Sequence, residues 1–360
     1  MTLLLLVAGL VVLTAGAELL VRGSATLARR LGVAPLIVGL TVVAFGTSAP
    51  EMTVSIKAAL IGQGDVALGN VVGSNIFNVL FILGASALVV PLAVQSQLVR
   101  LDVPVMIAAS LLVWAMAADG MLTRTEGLVL FAGIIAYTGM QVRLGLREAR
   151  AKADAGAEAD PTAPKLTMRG VLLDIVLAAA GLVLLVVGAG WFIGSAIEIA
   201  RTFGVSELVI GLTLVAAGTS MPEVAASLMA AFRGERDIAV GNVVGSNLFN
   251  LLSVLGASAA VAPGGLAVAP GALAFDLPIM VFVAVICLPM FLSGYVVSRL
   301  EGALLLTLQV LYTVYLILMS SGHAYAPPML TALMLGVGPA VLLFLVAGVV
   351  FGKRERLPAP

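Results

Sequence analysis

Two short segments place a carboxylate beside hydroxyls and a proline within apolar sequence. They read Gly46-Thr47-Ser48-Ala49-Pro50-Glu51 and Gly218-Thr219-Ser220-Met221-Pro222-Glu223. A charged group at bilayer depth costs at least about 2.5–3.5 kcal/mol on insertion scales, and such residues usually face a cavity and a ligand. On a helix, Thr47 lies at i,i+4 and Ser48 at i,i+3 from Glu51, so one face presents two hydroxyls and a carboxylate. Thr219, Ser220 and Glu223 repeat that face. Proline lacks an amide hydrogen, and its ring clashes with the carbonyl four residues back, here that of Gly46. The helix is therefore expected to break, freeing the carbonyls of about Ala44 to Gly46, and in the second segment those near Ala216 to Gly218. Unwound backbone at this depth is tolerated only where it is buried or lines a cavity.

A second pair of segments, GNVVGSNIFN at 69–78 and GNVVGSNLFN at 241–250, supplies more oxygen. Ser74 and Asn78 share a helix face, as do Ser246 and Asn250, and these four read as ion ligands. Asn70, Asn75, Asn242 and Asn247 read as interhelical hydrogen bonders. Gly69/Gly73 and Gly241/Gly245 form GxxxG pairs, a spacing that lets helix backbones approach closely. The sum is an all-oxygen cluster suited to a hard cation; Ca2+ takes 6–8 oxygens. With one cysteine (Cys287) and one histidine (His323) in the chain, sulfur and imidazole sites for softer metals are excluded. Two glutamates neutralise one Ca2+. Several Na+ could use the same oxygens, and competition for one site would give antiport.

The elements that must hold these residues are membrane helices. Of 360 residues, 61% are hydrophobic and 11% charged, and the mean hydropathy is +1.16. There is too little polar sequence to cover a soluble surface. A helical span needs roughly 20 apolar residues, and eleven segments qualify: 2–27, 34–60, 65–90, 101–119, 123–146, 170–199, 206–232, 237–262, 273–294, 299–321 and 328–351. No room is left for a soluble catalytic domain or a nucleic-acid-binding module. The N-terminus lacks a basic n-region and cleavage site and reads as a retained first span.

The segments repeat. GLTVVAFGTSAPE at 39–51 matches GLTLVAAGTSMPE at 211–223, and the asparagine motifs match at the same offset of 172. Asp102 and Pro104 match Asp276 and Pro278 at offset 174; Arg124, Glu126, Gly127 and Tyr137 match Arg299, Glu301, Gly302 and Tyr312 at offset 175. The expected organisation is a first five-helix half at 1–146, a cytosolic linker or surface helix at 147–168, a second half at 169–322, and an extra helix with a tail at 323–360. An odd number of spans per repeat inverts the second half in the membrane, the pattern of secondary transporters with a site at the repeat interface. With the N-terminus outside, fifteen Lys and Arg fall on the inner side and three (Lys57, Arg124, Arg201) on the outer, which fits the positive-inside rule. The linker and C-terminus are then cytosolic.

Other charges have simpler readings. Glu18 and Arg22 are spaced to pair, and Asp102 and Asp276 fit acidic placement at helix N-termini. An intramembrane enzyme would need a nucleophile–base pair, two catalytic aspartates or a metal; Cys287 and His323 have no evident partners. A channel or a non-transporting scaffold is the remaining different class.

The paired GTSxPE and GNxxGSN motifs resemble the alpha-repeats of the cation/calcium antiporter superfamily, most closely its prokaryotic sodium/calcium exchanger branch, over residues 1 to about 322. The resemblance implies an all-α polytopic membrane protein of two inverted five-helix repeats, here with an eleventh helix. It implies Ca2+/Na+ antiport across the cell membrane by alternating access, with helices 1 and 6 sliding past a core of the others. It implies no cofactor, no nucleic acid and no obligatory protein partner; Ca2+, Na+ and the lipid bilayer are what the protein meets. Ligand roles fall on Thr47, Ser48, Glu51, Ser74, Asn78, Thr219, Ser220, Glu223, Ser246 and Asn250, and carbonyl roles on Ala44 and Ala216. Asn250 stands where some relatives carry Asp, which leaves two ionisable groups in the cluster and one less proton-binding option; a second transport reading keeps the site and replaces Na+ with H+ or K+. GTSxPE differs from the acidic motif of the proton-coupled branch.

Overall fold

The computed structural model describes residues 1–154, 164–205, 207–210, 213–214 and 216–351. The helices are α1 (Thr2–Leu31), α2 (Pro35–Thr47), α3 (Ala49–Leu60), α4 (Gly64–Val89), α5 (Leu98–Asp119), α6 (Arg124–Asp154), α7 (Met168–Thr202), α8 (Met221–Phe232), α9 (Arg236–Val261), α10 (Ala272–Leu292), α11 (Arg299–Ser320) and α12 (Ala326–Val350). Among the described residues, nine are long and apolar enough to cross a membrane. A tenth span forms if α2 and α3, bent by 46°, count as one. The span expected at 206–232 is described in pieces: Glu207–Ile210, Ala216–Gly218 and α8. The protein is an all-α, multi-pass membrane protein.

Local chemistry sets the helix ends. α1 stops at Gly32, whose φ of 70° is left-handed, with Val33 N–H returning to the Ala28 carbonyl; this is the glycine C-cap geometry. Arg29 and Arg30 in its last turn complement the helix dipole. α11 opens with a capping box, in which Glu301 N–H donates to Ser298 Oγ and Ser298 N–H to Glu301 Oε2. Thr123 and Glu126 make the same exchange at the start of α6. α6 continues to Asp154, so the first part of the linker is helix; its residues 155–163 lie outside the described residues.

Lipid tails are as apolar as leucine, so helices in a bilayer associate by close packing. α1 and α7 run antiparallel along glycines. A Cβ built on Gly16 would lie 2.6 Å from Leu185 N and 2.8 Å from Gly181 O, and one on Gly9 would lie 3.0 Å from Gly188 O. Gly9 and Gly16 are themselves the repeat counterparts of Gly181 and Gly188. The halves also interlock: Gly84 of α4 packs on Gly302 of α11, while Gly256 of α9 packs on Gly127 of α6. Two short ribbons add to this. β1 (Leu92–Ala93) pairs with β4 (Val296–Val297), and β2 (Met121–Leu122) pairs with β3 (Leu266–Ala267). Such reciprocal contacts are those of two inverted repeats around a pseudo-two-fold axis. The centre is α4 and α9; the apolar window of α9 is wholly buried, and α12 is mostly exposed.

Two sequence expectations are extended. Glu18 does pair with Arg22, at 3.9 Å, but its closer partner is Arg233, at 2.5 and 2.7 Å, beyond the C-terminus of α8. A long-range partner of this kind leaves no spacing signal. Asp102 stands at the N-cap of the α-helical stretch Val103–Met116, but it does more than meet a helix end. It is fully buried and accepts from Tyr137 Oη (3.0 Å), Gln141 Nε2 (2.5 Å) and Gln97 Nε2 (3.2 Å), binding α5 to α6.

The glycine contacts give a stability prediction. Gly16→Ala forces α1 away from α7 and should destabilise the protein by about 1–3 kcal/mol, the usual range for overpacking. Gly139→Ala, where no described atom lies within 4 Å of the new Cβ, should leave stability unchanged or slightly raised. Thermal melting of detergent-purified protein followed by size exclusion separates the two.

Candidate functional site

Both glutamates sit in the first turn of a helix whose second residue is a proline. Glu51 follows Pro50 in α3, and Glu223 follows Pro222 in α8. The helix N-terminus is a favourable place for a negative charge. Both are essentially fully buried, with 0% and 1% exposure. The residues before these helices, Ser48 and Ser220, occupy N-cap positions, yet neither side chain caps its own helix. Each hydroxyl is spent on the other half instead: Ser48 Oγ donates to Glu223 Oε1 at 3.2 Å, and Ser220 Oγ donates to Glu51 Oε1 at 3.0 Å. The motif faces do converge, but hydroxyl and carboxylate pair across the repeats.

The asparagine helices complete the shell. Ser74 Oγ lies 3.1 Å from Ser220 Oγ, and Ser246 Oγ lies 3.5 Å from Thr47 Oγ1. Thr47 Oγ1 donates to Asn242 Oδ1 at 3.2 Å, and Thr219 Oγ1 donates to Asn70 Oδ1 at 3.3 Å. Asn78 and Asn250 are buried beside them. The helix break is present at Ser48, but the expected free carbonyls are partly engaged. Ala44 O accepts Ser48 N–H at 3.1 Å, and Gly46 O is approached by that same N–H alone among the described residues. A carbonyl has two lone pairs, and Thr47 Oγ1 also lies 3.4 Å from Ala44 O, so both have a donor within reach. Ala216 begins the helical turn Ala216–Gly218, as Ala44 begins the turn Ala44–Thr47 in the first half.

What stays unbonded decides the chemistry. Glu51 Oε2, Glu223 Oε2, Asn78 Oδ1 and both polar atoms of Asn250 are buried without a hydrogen-bond partner among the described residues. A buried charge without a partner costs several kcal/mol. Orphaned oxygens contributed by both halves, with hydroxyls nearby, are the type of donor that a hard cation takes.

Asn70 and Asn242 hold the shell in place. Asn70 Nδ2 donates to Ser55 Oγ at 2.9 Å and to Glu51 O at 3.3 Å; Asn242 Nδ2 donates to Ser227 Oγ at 2.9 Å and to Glu223 O at 3.5 Å. Asn75 and Asn247 bridge α4, α9 and the methionines Met280 and Met106. The sequence reading missed Ser55 and Ser227. The available signal was their own repeat at offset 172, one turn beyond each glutamate.

The two GxxxG pairs differ. A Cβ on Gly245 would lie 2.8 Å from Leu40 Cα and from Ala44 Cβ, so α9 packs tightly on α2. Around Gly69 and Gly73 no described atom lies within 4 Å of such a Cβ. Both glycines line a cavity of about 890 Å³ that Thr213, Leu214 and Ala217 also border. Close approach is made at Gly245, and among the described residues Gly69 and Gly73 border the cavity.

The asparagine struts carry a prediction. Asn242→Leu leaves the Ser227 and Thr47 hydroxyls without this buried partner, and should lower stability by about 1–3 kcal/mol and weaken cation binding. Melting curves with and without added cation measure both effects.

With the geometry in place, comparison with known proteins is direct. Residues 1–143 and 173–318 match the family described as sodium/calcium exchanger protein. The sodium/calcium exchanger MaX1 of Methanosarcina acetivorans is 32% identical over 344 residues, covering 87% of this chain and 97% of that one. The inner membrane protein YrbG of Escherichia coli is 37% identical over 260 residues, covering 72% and 80%. The structure of the sodium-calcium exchanger NCX_Mj soaked with 10 mM Na+ and zero Ca2+ aligns with a TM-score of 0.74 and 29% identity, over 89% of this chain and 98% of that chain. By its doubled motifs, its inverted halves and these matches, the chain belongs to the sodium/calcium exchanger family.

Proposed function

We propose that the protein exchanges Ca2+ for Na+ across the cell membrane by alternating access. The observation that carries this reading is the pair of buried glutamates. They come from opposite repeats, each is held by the other repeat's serine, and each keeps one oxygen without a partner. We assign the cation shell to Glu51, Glu223, Thr47, Ser48, Thr219, Ser220, Ser74, Ser246, Asn78 and Asn250, with the carbonyls of Ala44 and Ala216. One Ca2+ neutralises the two carboxylates, and Na+ competes for the same oxygens. Ca2+ and Na+ are cargo; the reaction needs no cofactor and makes or breaks no covalent bond.

In this reading the halves 1–146 and 169–322 form the transport unit, and residues 323–360 lie outside it. The N-terminus faces outward, and the 147–168 linker and C-terminus face the cytosol. The cavity beside Gly69 and Gly73 then opens toward the outer face, and the tight α2–α9 contact seals the inner one. α1 and α7 move as one body: Arg30 Nε bonds Asp174 Oδ2 at 2.7 Å, tying their cytosolic ends, and their glycine seam keeps the two backbones in register.

Protein reconstituted into Na+-loaded liposomes should take up tracer Ca2+ on dilution into Na+-free buffer. Glu51→Gln with Glu223→Gln should reduce the rate at least about 100-fold, as loss of both charges removes more than about 2.7 kcal/mol of binding. Equal uptake driven by a pH or K+ gradient would reassign the coupling ion, and no flux under any gradient would sink the transporter reading. Accessibility of single cysteines placed at residues 164 and 322 to an impermeant reagent, in a Cys287→Ser background, tests the orientation; labelling of the first from outside intact cells would reverse it.

A further inference from the structure

Repeated residues of this protein sit in unequal surroundings, and one such pair points to a second ion site. In the first half the Asp102 carboxylate is saturated by three donors and sealed from solvent. In the second half Asp276 keeps the equivalent tyrosine, with Tyr312 Oη at 3.3 Å, and this is its one hydrogen bond among the described residues. The positions equivalent to Gln97 and Gln141 are Gly271 and Leu316, which carry no side-chain donor. Asp276 is only partly buried and lines the 890 Å³ cavity.

The walls of that cavity are otherwise largely apolar, with one polar stripe. Gln309, Tyr312 and Thr313 all border it from α11, at the i, i+3 and i+4 positions that share a helix face. Gln309 Nε2 donates to Thr313 Oγ1 at 3.2 Å, and Gln309 Oε1 is buried without a partner among the described residues. Tyr312 and Thr313 repeat Tyr137 and Thr138, but the first half has Ile134 where Gln309 stands, so the amide is added to the repeat and not inherited from it. Polar groups at this depth are expensive and mark ion pathways. The cavity also reaches Gly73 and Phe77, the chain neighbours of Ser74 and Asn78.

We propose that Asp276, with Gln309 Oε1 and the Tyr312 and Thr313 hydroxyl oxygens, binds a monovalent cation in this cavity, beside the Glu51–Glu223 centre and distinct from it. One carboxylate among neutral oxygens balances a single positive charge and would leave a divalent ion under-compensated at low dielectric. The identity of that ion as Na+ rests on the exchange reading above.

The test is equilibrium binding of radiolabelled Na+ to the purified full-length protein in saturating Ca2+, which holds the exchange centre. The wild type should retain a Na+ component. Asp276→Asn should weaken that component at least about tenfold while remaining monodisperse on size exclusion. Gln309→Leu should weaken it less and serves the same purpose if Asp276→Asn fails to fold. Glu51→Gln with Glu223→Gln should abolish Ca2+ binding and keep the Na+ component. No Na+ component in the Ca2+-saturated wild type, or one unchanged in both cavity variants, would overturn the second site and leave the exchange centre standing. Ca2+ binding that survives the double glutamine variant would overturn the exchange centre, and the cavity variants would still decide the second site.

Discussion

The rest of the structure is arranged around two buried carboxylates, each with an oxygen that is unbonded among the described residues. Neither glutamate could be held this way by its own half. Pro50 and Pro222 are the second residues of new helices, so each carboxylate sits in a first turn where the helix dipole favours its charge. The serine that would ordinarily cap that helix reaches across the interface to the other glutamate. The centre therefore exists only when both repeats are in place. This explains why the halves interlock at Gly84–Gly302 and Gly127–Gly256 and through both short ribbons. A site shared by two units demands that the units be registered to within a fraction of an ångström, and backbone-to-backbone glycine packing does this better than long side chains.

Much of the fold and the motif residues of the centre were legible in the sequence, because the repeat doubles every signal. A lone glutamate in an apolar run is ambiguous; the same glutamate with the same hydroxyls and proline at offset 172 is not. The capping pairs Thr123–Glu126 and Ser298–Glu301 could be read in the same way, as short-range patterns with a fixed mechanism. What could not be read were partners. Helical periodicity says which residues share a face, not which neighbour that face meets. So Ser48 could be placed near Glu51, but not on Glu223, and Glu18 could be paired with Arg22, but not with Arg233. The same limit applied to Asp102, since two of its three donors have no counterpart in the second half and carry no repeat signal.

Departures from symmetry carry the directional information. A perfectly symmetric inverted repeat would be open or closed on both sides alike. Here α9 packs on α2 through Gly241 and Gly245, while Gly69 and Gly73 border a cavity. The motifs on both sides are the same, while the segment of the second half that corresponds to α2 is described only in part. A second placement in which the two sides trade roles would use the same contacts in mirror positions, and so would differ little in energy. That near-degeneracy is what a two-state carrier requires.

The unbonded oxygens also explain why such a carrier would exchange ions rather than leak them. Passing between the two placements takes the centre through a state sealed on both sides, with water excluded. With a cation present, Glu51 Oε2 and Glu223 Oε2 have a partner and the sealed state is electrically balanced. With none, keeping the two buried carboxylates ionised costs several kcal/mol per ion even after relaxation. Each 1.4 kcal/mol is a factor of ten in population, so the empty centre is kept from crossing by orders of magnitude. One ion must therefore leave and another bind before the protein can return, and transport is coupled without any dedicated gate. The fit of a single divalent ion to two carboxylates, and of monovalent ions to the surrounding hydroxyls and amides, lets either cargo lift the same penalty. Obligatory exchange is then a consequence of how poorly the protein satisfies its own glutamates.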